Sequence, residues 1–153
     1  MSWDAYLIDP TVEPHCDCFR DCAGGDACEY PAYPSISGDW NYTHNCNGMI
    51  EAVIDQMVLL PAGVDSTRKP FWTAMGNKNM GRGSWWDLLD GLDGPAGAEF
   101  LSVIIKGLEA EPERFRAMNP GNGWGDYDTL LETLREMRDA VPSNTPSRWR
   151  VGG

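Results

Sequence analysis

The sequence predicts a small α+β domain, in which a few helices pack against one small antiparallel sheet. Three stretches show apolar residues at helical spacing, and short aromatic or β-branched stretches lie near both ends of the chain. A length of 153 residues suits one hydrophobic core, so we expect a single domain over residues 1–153. The 17 glycines and 11 prolines predict a loop-rich chain with short elements.

Three short strands are expected. Residues 3–8 are rich in aromatic and apolar side chains and are closed by Asp9 and Pro10, which is typical of a strand. Residues 40–43 can form a second strand, and residues 147–151 an edge strand lying against the first.

Three amphipathic helices are expected. Apolar residues at helical spacing predict helices over 47–60 and 96–110, and Pro95 suits the first turn of the second. The third begins near Tyr127 and ends before Pro142. These helices supply most of the expected core.

The segment Asn119 to Asp128, NPGNGWGDYD, predicts a tight loop that opens onto the last helix. Its glycines permit positive φ, and Asp126 or Asp128 can cap that helix. Trp124 either anchors the loop in the core or presents its face to a partner. Because tryptophan is usually buried, we expect anchoring.

Two segments are expected to be irregular: a cysteine-rich loop over 11–39 and a Gly/Trp-rich stretch over 61–95. Four cysteines crowded into the first are candidate ligands of a structural zinc ion, since thiolates bind Zn²⁺ tetrahedrally. Unmetallated or partly oxidised thiols are the alternative. Cys46 lies apart and is expected to be a buried or inert thiol. The candidate metal ligands are Cys16, Cys18, Cys22 and Cys28.

The stretch 66–86 contains four basic residues, four large aromatic residues and no acid, so it is the candidate surface for a small anionic, nucleotide-like ligand. The alternative is that the aromatic rings pack internally and the charges are solvated. The candidate ligand-binding residues there are Arg68, Lys69, Trp72, Lys78, Arg82 and Trp85.

His44 and Asn45 precede the first helix and are further candidate ligand contacts near its positive end. The alternative is a turn and capping network, with Thr43 or Asn45 capping the helix.

Net charge argues against several partners. There are 23 acidic against 12 basic residues, a net charge of −11, so duplex nucleic acid and anionic membranes are poor partners. No apolar run is long enough to span a bilayer, and an intracellular protein is expected. The acids Asp87, Asp90 and Asp93 recur every third residue and are expected to be solvated.

No catalytic motif is recognised in the sequence. The run from Gly76 to Ser84 resembles a phosphate-binding loop, but Arg82 and Gly83 stand where its lysine and hydroxyl residue belong. Neither histidine lies in an HExxH motif or near a GxSxG motif. An enzyme is therefore not the favoured interpretation.

The motifs SWDAYLIDP, NYTHNCNGM and NPGNGWGDYD follow one another over most of the chain. Together they resemble a family of small uncharacterised proteins encoded by bacteriophages and prophages, frequent in actinobacterial phages. The resemblance implies a phage setting and the cytoplasm of the host cell, or alternatively the virion. We therefore expect a non-enzymatic accessory protein that binds a host protein or a small anionic ligand, with a minor virion structural protein as the alternative.

Overall fold

The computed structural model describes residues 2–12, 15–16, 31–32, 35–65 and 84–152 and confirms the α+β fold class. The strands are β1 (Ser2–Ile8), β2 (His15–Cys16), β3 (Pro31–Ala32), β4 (Ser35–Thr43) and β5 (Arg148–Gly152). The helices are α1 (Asn47–Gln56), α2 (Trp86–Leu89), α3 (Gly94–Ala110), α4 (Pro112–Arg116) and α5 (Tyr127–Asp139).

β1 is the central strand of a three-stranded antiparallel sheet of order β4-β1-β5. Its register joins Asp4 to Asn41 of β4 and Ile8 to Arg148 of β5, which confirms the predicted edge strand against the first. Alternate residues of a strand face one side, so Trp3, Ala5 and Leu7 are all buried. β2 and β3 form a separate antiparallel pair.

β5 is fixed to the chain ahead of α3 as well as to β1. The Gly91 N–H donates to the Trp149 carbonyl, and the Trp149 N–H donates to the Leu92 carbonyl, both at 2.9 Å. The Asp90 carboxylate accepts from the Val151 N–H at 3.0 Å.

Two of the regularly spaced acids therefore have partners in β5. Besides the contact made by Asp90, the carboxylate of Asp93 lies 3.5 Å from the guanidinium of Arg148. The prediction that these acids are solvated is wrong for Asp90, which is partly covered by β5, and is confirmed for Asp93, whose side chain is 73% exposed.

The core lies between the sheet and helices α1, α3 and α5. Phe100, Leu101 and Ile104 of α3 are fully buried, as the helical spacing predicted. Trp149 of β5 packs against Gly97, where a Cβ atom would come within 2.2 Å of the indole ring. The glycine thus lets the helix approach this large side chain closely.

Several element bounds differ from those expected. α1 ends at Gln56 because Met57 turns to an extended backbone, and Val58 and Leu59 after it are exposed. β4 begins at Ser35, inside the segment expected to be irregular.

The second segment expected to be irregular also contains regular structure. α2 and the first two residues of α3 lie within 61–95. Of the helices that the structure describes, none is long and apolar enough to cross a membrane.

Candidate functional site

The loop between α4 and α5 presents Trp124 to solvent, with 67% of its surface exposed. The prediction that Trp124 anchors the loop in the core is wrong. By contrast, Trp3, Trp85 and Trp149 are 0% exposed. The loop must therefore be fixed by other groups, and its backbone contacts identify them.

Tyr42 of β4 fixes the end of the loop. Its hydroxyl donates to the Asp126 carbonyl at 2.9 Å and accepts from the Asp126 N–H at 3.2 Å. Burial raises the pKa of the Tyr42 hydroxyl well above its usual value, so this group stays protonated and able to donate. Burial also raises the pKa of the neighbouring Cys46 thiol, which keeps it in the less reactive neutral form.

Gly125 is the point of closest approach between the loop and the rest of the fold. Its φ is +83°, a conformation that glycine adopts without a steric penalty. A Cβ atom there would lie 2.5 Å from Cγ2 of Thr43 and 3.0 Å from Sγ of Cys46. Conformation and space both require glycine at this position.

Three asparagine side chains satisfy the loop backbone. Oδ1 of Asn119 accepts from the Tyr127 N–H at 2.8 Å, and Oδ1 of Asn122 accepts from the Trp124 N–H at 3.0 Å. Nδ2 of Asn45 reaches the Trp124 carbonyl at 3.4 Å. Both polar backbone groups of Trp124 are therefore bonded while its indole stays free of the core.

The loop leads directly into α5, whose N-terminus is capped. Asp126 is the N-cap residue, as predicted, and its carboxylate accepts from the Thr129 N–H at 2.9 Å. The Arg116 guanidinium donates to both carboxylate oxygens of Asp128 and lies 5.1 Å from the ring centroid of Tyr127. Hydrogen bonding to Arg116 lowers the pKa of the Asp128 carboxyl.

The outer side of the loop is open. At Gly121 and at Gly123, a Cβ atom would meet nothing within 4 Å. Gly123 needs glycine for its φ of +71°, whereas Gly121 has neither a positive φ nor a close neighbour. The fold therefore does not require glycine at 121, and its surface is accessible to a partner.

The structure describes only part of the predicted anion-binding set. Trp85 is fully buried and donates from Nε1 to Oδ1 of Asn47 at 3.2 Å. Its ring packs edge-on against Trp3, so it offers no free face for stacking, contrary to the prediction. The other predicted residues of this set lie outside the described residues; they are Arg68, Lys69, Trp72, Lys78 and Arg82.

The polar turn before α1 contains the expected turn-forming hydrogen bond but not the expected helix cap. Asn45 is exposed and contacts the Trp124 loop, and the structure describes the backbone of His44 in a 3₁₀ turn, His44–Cys46. α1 has no side-chain cap, so the prediction that Thr43 or Asn45 caps it is wrong. The Thr43 hydroxyl instead accepts from the Asn45 N–H at 3.3 Å.

The predicted zinc site lies outside the described side chains. The backbone of Cys16 belongs to β2, while Cys18, Cys22 and Cys28 are not among the described residues. Within the ranges that the structure describes, no group of three or more His, Cys, Asp or Glu residues is placed to hold a metal ion. Cys46 is a buried free thiol, as expected.

No protein-family model, curated protein or solved structure matches this chain. Sequence reasoning recognised the loop but not the exposure of its tryptophan. A usable signal was present, since glycine on both sides of Trp124 leaves no neighbouring side chain to cover the ring.

Proposed function

We propose that this chain is a non-enzymatic accessory protein of the bacteriophage type that binds a host protein in the cytoplasm of the infected cell. The observation that carries the proposal is the exposed Trp124 on a loop with a fixed backbone. The phage setting rests on the resemblance of the three sequence motifs.

An exposed tryptophan on a fixed loop suits protein recognition. Tryptophan is among the residues that contribute most to the energy of protein interfaces. The bonds to Asn45, Asn122 and Tyr42 order the loop before a partner arrives, so less conformational entropy is lost on binding.

The first test is co-purification from cells that express a tagged form of the chain during phage growth. We expect a host protein to co-purify with the wild type and to be lost with Trp124→Ala. Leu59→Ala is the matched control, because Leu59 is also a large exposed apolar residue, 86% exposed. Equal recovery with wild type and Trp124→Ala, confirmed with the purified components, would contradict the proposal.

A small anionic, nucleotide-like ligand is a second candidate, supported by the acid-free, aromatic stretch 66–86. Isothermal titration with a nucleotide panel tests it. We expect binding that weakens when Arg68, Lys69 and Arg82 are changed to alanine. Absence of heat with every nucleotide would remove this candidate and leave the protein partner.

The alternative setting is the virion, where the chain would be a minor structural protein. An exposed tryptophan would serve assembly equally well. Mass spectrometry of purified particles separates the two settings, because an accessory protein of the cytoplasm should be missing from the particles. The cysteine cluster remains a proposed structural zinc site in either setting, and metal analysis of the purified protein tests it.

A further inference from the structure

The sequence contains two Asn-Gly pairs, and the fold places them in opposite surroundings. Asn47 and Gly48 begin α1, whereas Asn122 and Gly123 lie in the loop that carries Trp124. An asparagine side-chain amide can be attacked by the backbone nitrogen of the next residue, and glycine brings no side chain that hinders the approach. Whether either pair reacts therefore depends on what surrounds it.

The surroundings of Asn47 oppose this reaction. Only 6% of its surface is exposed, and its Oδ1 accepts from Nε1 of the fully buried Trp85 at 3.2 Å. Closing a ring between its side chain and the Gly48 nitrogen requires rotation of the backbone away from the helical conformation. That rotation would break the bond to Trp85 and open the start of a core helix, which costs free energy.

Asn122 is in a much less restrained position. It is exposed and belongs to neither a helix nor a strand. A Cβ atom at Gly123 would meet nothing within 4 Å, so the backbone there has room to move. The Gly123 N–H donates to the Pro120 carbonyl at 3.3 Å, which is longer than a typical bond of this kind. The nitrogen can therefore be released at small cost.

The hydrogen bond that orders the loop also activates the side chain of Asn122. Its Oδ1 accepts from the Trp124 N–H at 3.0 Å, which keeps the side chain alongside the intervening Gly123 peptide. When the Gly123 nitrogen attacks Cγ of Asn122, negative charge develops on this same Oδ1. A donor that already contacts the oxygen stabilises that charge.

We propose that Asn122 is a site of spontaneous covalent modification, in which the Gly123 nitrogen attacks Cγ of Asn122 and closes a cyclic imide. The bond between Cγ and Nδ2 breaks, and Nδ2 leaves as ammonia with the proton from the Gly123 nitrogen. Water then opens the imide. Hydrolysis at Cγ gives aspartate, whereas hydrolysis at the main-chain carbonyl gives isoaspartate, and neither route oxidises or reduces the chain.

The two products affect the loop differently. Aspartate keeps an oxygen acceptor for the Trp124 N–H and adds a negative charge. In isoaspartate the backbone runs through Cγ, so the chain gains a methylene group directly ahead of Gly123, and the former Oδ1 becomes a main-chain oxygen. The isoaspartate form therefore cannot hold Trp124 in the same way. The modification goes beyond the proposed protein binding, and only its effect on a partner rests on that proposal.

Peptide mapping of the aged protein tests the proposal. The folded chain is incubated at neutral to mildly alkaline pH, and samples taken over time are digested and analysed by tandem mass spectrometry. The mass increases by the difference between a hydroxyl and an amino group, and electron-transfer fragmentation distinguishes isoaspartate from aspartate. We expect Asn122 to be converted at least about tenfold faster than Asn47, because local opening of α1 must precede reaction at Asn47. Equal rates at the two sites would overturn the proposal.

The chain denatured in guanidinium chloride is the control for the sequence itself. Both pairs then lose their surroundings, so we expect Asn47 and Asn122 to react at similar rates. If Asn122 reacted in the denatured chain but not in the folded one, the proposal would be overturned. It would also be overturned if Asn47 stayed slow after denaturation, because the difference would then come from the sequence and not from the fold.

Asn122→Gln is the matched variant. Its longer side chain closes the corresponding ring much more slowly, so we expect modification at residue 122 to disappear while the rate at Asn47 is unchanged. Thermal unfolding should be normal, because residue 122 is exposed. Modification that persisted in the same peptide would overturn the assignment to Asn122. None of these measurements involves a partner, so their outcome is independent of whether the protein-binding function is correct.

Discussion

The buried tryptophans and Trp124 use the same side chain for opposite purposes. Trp149 fills the space over Gly97 and donates from Nε1 to the Gly94 carbonyl at 3.3 Å, so both its ring and its polar atom belong to the core. Among the residues that the structure describes, Trp124 is hydrogen-bonded only through its backbone, and most of its surface is exposed. The first tryptophan therefore stabilises the fold, whereas the second adds little to it and is the residue proposed to contact a partner.

The largest effect on stability is expected for a buried tryptophan, Trp149. Trp149→Ala should lower the free energy of unfolding by about 3–5 kcal/mol, because it leaves a cavity between β5 and α3. Urea denaturation followed by circular dichroism measures the change. Trp149→Phe keeps part of the side-chain volume and should lower the free energy of unfolding distinctly less. If Trp149→Ala lowered it no more than Trp149→Phe, the assigned packing would be contradicted.

The next largest effect on stability is expected at Gly125, where the loop contacts the rest of the fold. Gly125→Ala should cost about 2 kcal/mol or more, since it combines a left-handed backbone with a contact of the added methyl group against Thr43. Gly121→Ala is the matched control and should remain within about 0.5 kcal/mol of the wild type. Similar losses in the two variants would mean that the loop is not attached at Gly125. Thermal and urea unfolding both report the difference.

The Tyr42 hydroxyl makes this attachment sensitive to alkaline pH. The pKa of this hydroxyl is raised in the folded state. The stability that the protonated hydroxyl contributes is therefore fully present below the usual tyrosine pKa of about 10, and it is lost as the pH rises towards the folded pKa. For one proton, the free energy of unfolding can fall by at most about 1.4 kcal/mol per pH unit. Urea unfolding between neutral and alkaline pH should show a steeper decline for the wild type than for Tyr42→Phe, and parallel declines would contradict this role.

The smallest effect on stability belongs to the exposed tryptophan. Trp124→Ala should change the free energy of unfolding by no more than about 0.5 kcal/mol, because its ring is solvated in the folded state. The same variant should lose partner binding. A large loss of stability would instead place Trp124 with the buried tryptophans and remove the basis of the proposed function.

The sequence predicted the elements whose signals are local. α3 and α5 carry apolar residues at unbroken helical spacing, and Asp126 caps α5 within its own first turn. The strand at the end of the chain was also predicted, from its composition. For the two helices, the determining interactions are made between residues close together in the sequence.

The features that were missed depend on residues far apart in the sequence. The loop is fixed without the Trp124 indole because Tyr42, which is 84 residues away in the sequence, binds the backbone of Asp126. Asp90 binds Val151 only because β5 returns beside it. Residue composition does not show which distant segments come together. The usual burial of tryptophan led to the wrong prediction that Trp124 is buried.

The position of β1 at the centre of the sheet has a consequence for synthesis on the ribosome. β1 leaves the exit tunnel before both of its neighbours, and one of them, β5, which pairs Ile8 with Arg148, is translated after the other described strands. Until then one edge of β1 has no permanent neighbour in the sheet and is open to pairing with other nascent chains. Chaperone engagement should therefore be strongest on ribosome-bound chains that have completed α5 but have not yet released β5.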